Sequence, residues 1–287
     1  MAVPLSTGVD VSPAVRAVIL KHRGGGPEAE RALEKLLSDG DRSAAVLLAE
    51  LLMQPARRGG PDPVRACDYA EAAGEHPEAL HNLAYCFENG LGRPTDKARA
   101  RTLYAKASDL GFAKSACALG NLLIGGQGGP ADATRGVDLC RRAADAGDPD
   151  AQTDYGGYLL IGRNIPKDVV EARRYLALAA ARKHANAAFL LGQIYWNGDG
   201  VAKDRAEAAR WWRVAYDGGR SDAARLLALE ALGRLVAAHD SREPAPVQNL
   251  DEARRWLTIA AEKDPDPAQR RVAADMLSKL GEAAPAK

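Results

Sequence analysis

The sequence predicts an all-α fold, a solenoid of antiparallel helix pairs repeating every 36 residues. Three observations carry that expectation. Leu83-Ala84, Leu119-Gly120, Tyr155-Gly156 and Leu191-Gly192 stand 36 residues apart, and Ala228 continues the series. Ala79, Ser115, Ala151, Ala187 and Ala223 keep the same interval, as do Asp96, Asp132, Asp168 and Asp204. Aromatic residues make up only 5 % of the 287-residue chain against 46 % hydrophobic, so alanine and aliphatic side chains must build the core. Such a composition suits close-packed helices, because alanine is the best helix former.

The unit from Ala187 to Gly219 shows how each element arises. Leu191, Gly192 and Tyr195 form one buried stripe of a first helix, and Gly198 stands where a left-handed residue would end it. Asp204 opens a second helix with Glu207 completing a capping box, and Ala208, Trp211 and Ala215 form its apolar stripe. Gly218 and Gly219 stop it, and Gly111 and Gly147 fall on the same grid, with Lys183 in the intervening place. Asp62, Asp96, Asp132, Asp168, Asp204 and Asn249 read as N-caps of successive second helices. Tyr69, Leu103, Leu139, Tyr175, Trp211 and Trp256 read as their large core residues.

The ends depart from the grid. Residues 1–42 read as a degenerate helical cap, with one helix from Ser12-Pro13 to Gly24-Gly25-Gly26 and another from Glu28 to Ser38. Six repeats occupy 43–267, the last with about nine extra residues, a longer first helix and a proline-bearing loop. Residues 268–287 form a closing helix, Ala268 to Leu280, and a fraying tail.

Basic and acidic residues balance at 39 against 38, so net charge provides no draw to nucleic acid or to anionic membrane. No apolar run approaches the length of a membrane span, and the N-terminus lacks the pattern of a secretory signal. The four cysteines read as buried thiols rather than a disulfide framework, and the expected location is cytoplasmic.

LGQIYWNGDGV, Asp204, AARW (Ala208 to Trp211) and AYDGG resemble the Sel-one-like repeat family, relatives of tetratricopeptide repeats. LAYCFENGLG, Asp96 and Ala100 keep the same design, and the resemblance covers roughly residues 43–280. Tyr155 for Leu, and Ala49 and Ala84 for Gly, depart from the family pattern. The resemblance implies a right-handed superhelix whose first helices line a concave groove. It also implies an adaptor or scaffold without catalytic activity, working in bacterial signalling, envelope or secretion assemblies. The family's cysteine-rich secreted members pair cysteines seven residues apart within a repeat, and Cys67, Cys86, Cys117 and Cys140 lack that spacing.

No G-x-S-x-G, phosphate-loop or HExxH motif occurs, and no cofactor is expected. Gly198-Asp199-Gly200 reads as a turn, because Leu91, Gln127 and Asn164 take the place of Asp199 in other copies. Cys67, His76, His81 and Cys86 fit no short chelating pair, so no metal is expected. Arg141-Arg142, Arg173-Arg174 and Arg254-Arg255 read as a solvated face partly paired with acids such as Glu171 and Glu252; the alternative is a ridge for an acidic partner. His81 and Glu88, two turns apart on one helix face, are the only pair suggesting an enzyme.

The resemblance also implies which residues face the groove: those three before and one, four and five after the first-helix glycine. Carried over, they are His81, Tyr85, Glu88 and Asn89, then Asn121, Thr153 and Arg225, with Phe189, Gln193, Trp196 and Asn197 in the best-matching copy. Trp196 has two readings, packing against the next unit or anchoring a partner. The mixed apolar and amide character suits a peptide or helix of another protein. Self-association through the divergent final repeat is the second reading of the chain.

Overall fold

The computed structural model describes residues 11–22, 26–53, 60–240 and 247–282. They form an all-helical repeat solenoid with no strand among the described residues. Two helices open the chain, α1 (Pro13–Lys21) and α2 (Pro27–Ser38). Helix pairs then follow in order: α3 (Ser43–Met53) with α4 (Pro63–Ala72), α5 (Pro77–Asn89) with α6 (Lys97–Asp109), and α7 (Ala113–Ile124) with α8 (Ala133–Asp145). These belong to a first compact unit, Met1–Ala146. The second, Gly147–Lys287, holds α9 (Pro149–Ile161) with α10 (Val169–Ala181) and α11 (Ala185–Asn197) with α12 (Arg205–Asp217). It ends with α13 (Ala223–Asp240), α14 (Val247–Lys263) and α15 (Pro267–Glu282). Within the units the first helices approach one another, α3 touching α5 and α9 touching α11, so they form the inner row.

A shared turn joins α5 to α6, α9 to α10 and α11 to α12. The first helix ends at a left-handed glycine, Gly90, Gly162 or Gly198. An aspartate then caps the second helix: the side chains of Asp96, Asp132, Asp168 and Asp204 each accept the backbone N–H three residues on. Their own N–H groups donate back to Phe87, Leu123, Leu159 and Tyr195 carbonyls. That use of the Asp204 N–H corrects the expected capping box, in which Glu207 would have taken it; Glu207 pairs with Arg210 instead. A second left-handed residue follows two positions after the first, at Gly92 (φ 66°) and Gly200 (φ 64°). Asn164 (φ 61°) holds that same place, so it corresponds to Gly200 and not to Asp199. A Cβ on Gly92 would lie 2.9 Å from the Val64 backbone, so the turn is shaped by packing on the preceding repeat.

Leu139, Tyr175 and Trp256 are buried as expected, but the deepest second-helix side chain stands one residue further on. Trp212 is 1 % exposed and Trp211 only half-buried, and likewise Tyr104 lies deeper than Leu103 and Leu176 than Tyr175. The deeper residue crosses the first-helix glycine: a Cβ on Gly192 would stand 2.2 Å from Trp212 Nε1, and one on Gly156 2.9 Å from Leu176. Glycine there lets a large side chain lie directly on the backbone of its partner helix. α14 begins at Val247, which places Asn249 inside the helix rather than at its cap. The proline-bearing loop at 241–246, Gly24, Gly25 and the tail after Glu282 lie outside the described residues.

The cysteines also depart from expectation. Cys67 on α4 is bonded to Cys86 on α5, and Cys117 on α7 to Cys140 on α8. All four are buried, as a small apolar residue would be, but none is a free thiol. Sequence spacing could not reveal pairs 19 and 23 residues apart, because helix packing brings them together. On the outer row, Arg141 and Arg142 pair with Asp138 and Arg174 with Glu171, while Glu252 pairs with Arg213.

Candidate functional site

The eleven groove residues expected from the resemblance occupy four kinds of place. Those three before the glycine meet the start of the next helix in the inner row. His81 is buried, its ring against Phe112, the N-cap of α7, and its Nδ1 2.9 Å from Ser115 Oγ. Phe189 carries the Arg220 guanidinium over its ring at 4.1 Å from the centroid. Arg225 reaches the buried Asp264 carboxylate at 3.5 Å. Thr153 Oγ1 lies 2.8 Å from His184 Nδ1, and His184 Nε2 lies 2.8 Å from Asp150. The Thr153 hydroxyl also donates to the Pro149 carbonyl at 2.8 Å, so a hydroxyl, an imidazole and a carboxylate follow one another at this junction. One position thus links successive repeats by ring contact, hydrogen bond, cation–π contact or ion pair.

Positions four after the glycine pack on the deep second-helix residue of the same pair. Glu88 accepts the Tyr104 hydroxyl at 2.8 Å, and Trp196 sits 5.4 Å from the Trp212 ring with Arg205 over its face. Burial and the Glu88 carboxylate raise the Tyr104 phenol above its ordinary pKa, so it stays a donor. Tyr104 also touches the His81 ring, so both members of the suggested catalytic pair are engaged in packing around one tyrosine. Positions five after the glycine belong to the turn: Asn89 donates to the Tyr85 carbonyl and Asn197 to Asp199.

The positions one after the glycine point outward. Gln193 is exposed, Asn121 is half-buried with Oδ1 3.5 Å from the Cys140 sulfur, and Tyr85 is 46 % exposed. Tyr85 and Asn82, with Met53, Pro61, Pro63, Leu91, His81 and Lys114, line a recess of about 480 Å³ in the first unit. One turn before the lining residues stand two carboxylates, Glu50 before Met53 and Glu78 before His81 and Asn82. Glu78 is pushed up to about 7, mainly by burial and then by the Glu50 charge, with Lys114 opposing.

Sequence reasoning missed Glu50, Glu78 and Lys114. A legible signal existed for two of them: Glu78, Lys114, Asp150 and Asn186 share the 36-residue grid at the second position of the first helices, and Asp222 continues it just before α13. That row is polar throughout. Among the described residues no group of three or more His, Cys, Asp or Glu side chains is placed to hold a metal ion, and no helix is long and apolar enough to cross a membrane.

Comparison with known proteins accords with this geometry. The family model for the Sel1 repeat matches residues 77–112, 113–148, 149–184, 185–219 and 226–265. A Sel1 repeat protein from Oxalobacter formigenes has a similar structure, with a TM-score of 0.66 at 22 % identity over 89 % of this chain and 100 % of that one. A protective antigen of uropathogenic Escherichia coli with the SLR fold gives 0.57 at 22 % over 88 % of this chain and 52 % of its own. The immunity protein Pa5087 from Pseudomonas aeruginosa gives 0.51 at 21 % over 85 % and 84 %. At these identities the likeness is one of fold. A search of the curated proteins finds no match.

Proposed function

Because the chain belongs to the Sel1 repeat family, we propose that it is a non-enzymatic scaffold that holds a segment of a partner protein against its inner row of helices. Sel1 repeat proteins are generally protein-interaction scaffolds. The observation that carries the reading here is Tyr85, a half-exposed aromatic set in a recess of the inner row, where core packing does not require it. Tyrosine offers large contact area with a polar tip, which suits a binding anchor. The non-enzymatic part is supported by the engagement of His81 and Glu88 on Tyr104. The similar structures of bacterial origin support a bacterial setting, and a role there in signalling or regulation rests on the family resemblance alone. The two disulfides support an oxidising compartment in place of the cytoplasmic one expected from the sequence.

The test is capture of partners from the native organism with the wild-type chain and with Tyr85→Ala, both checked for helicity. The variant is expected to lose the captured protein while staying folded, and retention of the same partner by Tyr85→Ala would overturn the reading. Phe189→Ala and Trp196→Ala report on packing instead, because those rings carry Arg220 and meet Trp212.

A further inference from the structure

We infer that the cleft between α6 and α8, on the outer row of the first unit, docks an acidic segment of a partner protein. An aliphatic side chain of that segment lies on the floor and a carboxylate meets the basic end. The surface is separate from the Tyr85 recess of the inner row and goes beyond the scaffold reading. Leu119 and Leu123, buried on one face of α7, form the floor of a cleft of about 530 Å³. Ala98 and Ala105 of α6 line one wall, and their small side chains leave the floor accessible. A smaller hollow of about 190 Å³ adjoins it over Ala113 and Ala116, on the same face of α7. From Ala113 to Leu123 the floor runs about 15 Å, the span of four to five extended residues.

The charges that line the cleft are unequal: Arg101, Lys106 and Arg135 against the one carboxylate of Asp109. Asp109 stands about two turns along α6 from Arg101, away from the basic end. Arg101 donates to the Pro130 carbonyl, which holds its guanidinium at the α7–α8 turn with further N–H groups to offer. Arg135 is exposed and forms no ion pair among the described residues. Lys106 pairs with Glu75 at 3.3 Å, but both side chains are exposed and such a pair is weak. An arriving carboxylate therefore finds charge-assisted donors, while an aliphatic neighbour covers Leu119 and Leu123. A nucleic acid would gain nothing from that floor, and no aromatic ring lines the cleft for its bases to stack on. The repeat plan does not demand this lining. Two repeats on, Val170, Leu178 and Glu207 take the places of Ala98, Lys106 and Arg135.

The probe is acetyl-Glu-Leu-Leu-Glu-amide, titrated by calorimetry into the full chain beside its glutamine and lysine counterparts. The glutamate peptide is expected to bind about tenfold more tightly than the glutamine peptide, the worth of one charge-assisted contact. Arg135→Glu installs the residue type that the second unit carries at Glu207, so the fold accommodates it. That variant should weaken the glutamate peptide by about tenfold or more while helicity is kept. Lys106→Leu, which matches Leu178 in the same way, should weaken it by about threefold. Equal affinity for the three peptides, binding of none, or affinity unchanged by Arg135→Glu and Lys106→Leu would each overturn the inference. Tighter binding of a four-residue oligothymidylate than of the glutamate peptide would assign the cations to nucleic acid and overturn it too. Tyr85→Ala should leave the peptide affinity unchanged, and a loss there would move the peptide to the inner row and overturn the outer site. If Tyr85→Ala loses the cellular partner while the three peptides bind equally, the scaffold reading stands and only the outer cleft fails.

Discussion

The two compact units carry one 36-residue plan but close their cores with different materials. All four cysteines lie in Met1–Ala146 and none in Gly147–Lys287. In the first unit Cys140 stands over Gly120, at the place that Trp212 takes over Gly192 in the second. Cys117–Cys140 ties the two helices of a pair, and Cys67–Cys86 ties one pair to the next. The second unit makes the corresponding joins with rings and polar groups: Tyr155 edge-on to Tyr175, Tyr216 edge-on to Trp256, Arg220 over Phe189. A repeat position therefore fixes where a contact occurs and leaves its chemistry open. In a solenoid each repeat mainly touches its neighbours, so the two solutions coexist in one chain.

The largest effect should come from the ring that the second unit relies on most. Trp212→Ala is expected to cost about 3–5 kcal/mol, the price of a large cavity beside a glycine that cannot fill it. Hydrogen exchange should locate the loss in α11 and α12, with α5 to α8 protected as before. Loss spread evenly over both units would show that their cores are not separable in this way.

Reduction tests the other half of the comparison. Each disulfide closes a loop of about twenty residues, so opening one should cost about 3 kcal/mol, and only in the first unit. A non-reducing peptide map should recover Cys67 joined to Cys86 and Cys117 to Cys140. A thermal transition that is insensitive to reductant would remove the covalent side of the contrast, and with it the support for an oxidising compartment.

How far sequence could see follows the same division. The period, the aspartate caps and the left-handed glycines were legible, because each is a local demand of the backbone that recurs at a fixed interval. The choice of Trp211 over Trp212 failed because adjacent aromatic residues both satisfy a helical stripe, and only the rotation of α12 against Gly192 decides between them. The cysteine pairs and the Phe189–Arg220 stack join residues from different helices, so neither leaves a trace in local spacing. Tyr85 was reached only through family resemblance, and Glu78 was missed because polar residues at helix starts ordinarily face solvent.

The smallest predicted effect concerns how second helices end. Gly74 and Gly111 in the first unit, and Gly147 and Gly219 in the second, adopt φ values of 73°, 88°, 90° and 100°. Lys183 holds the same place at φ 63°, in a region where a Cβ crowds the backbone. Its N–H still donates to the Ala180 carbonyl, so the geometry of the turn is retained and only the residue type is unfavourable. Lys183→Gly should therefore stabilise the second unit by about 1 kcal/mol, with part of the relief returned as extra freedom of the unfolded chain. Gly219→Ala should move stability by a similar amount in the opposite direction, since nothing within 4 Å of its Cβ position adds a clash to the backbone strain. Denaturant midpoints of the two variants, compared at equal m-value, decide the matter. A Lys183→Gly chain no more stable than wild type would mean that the lysine side chain contributes a contact worth as much as the strain it imposes.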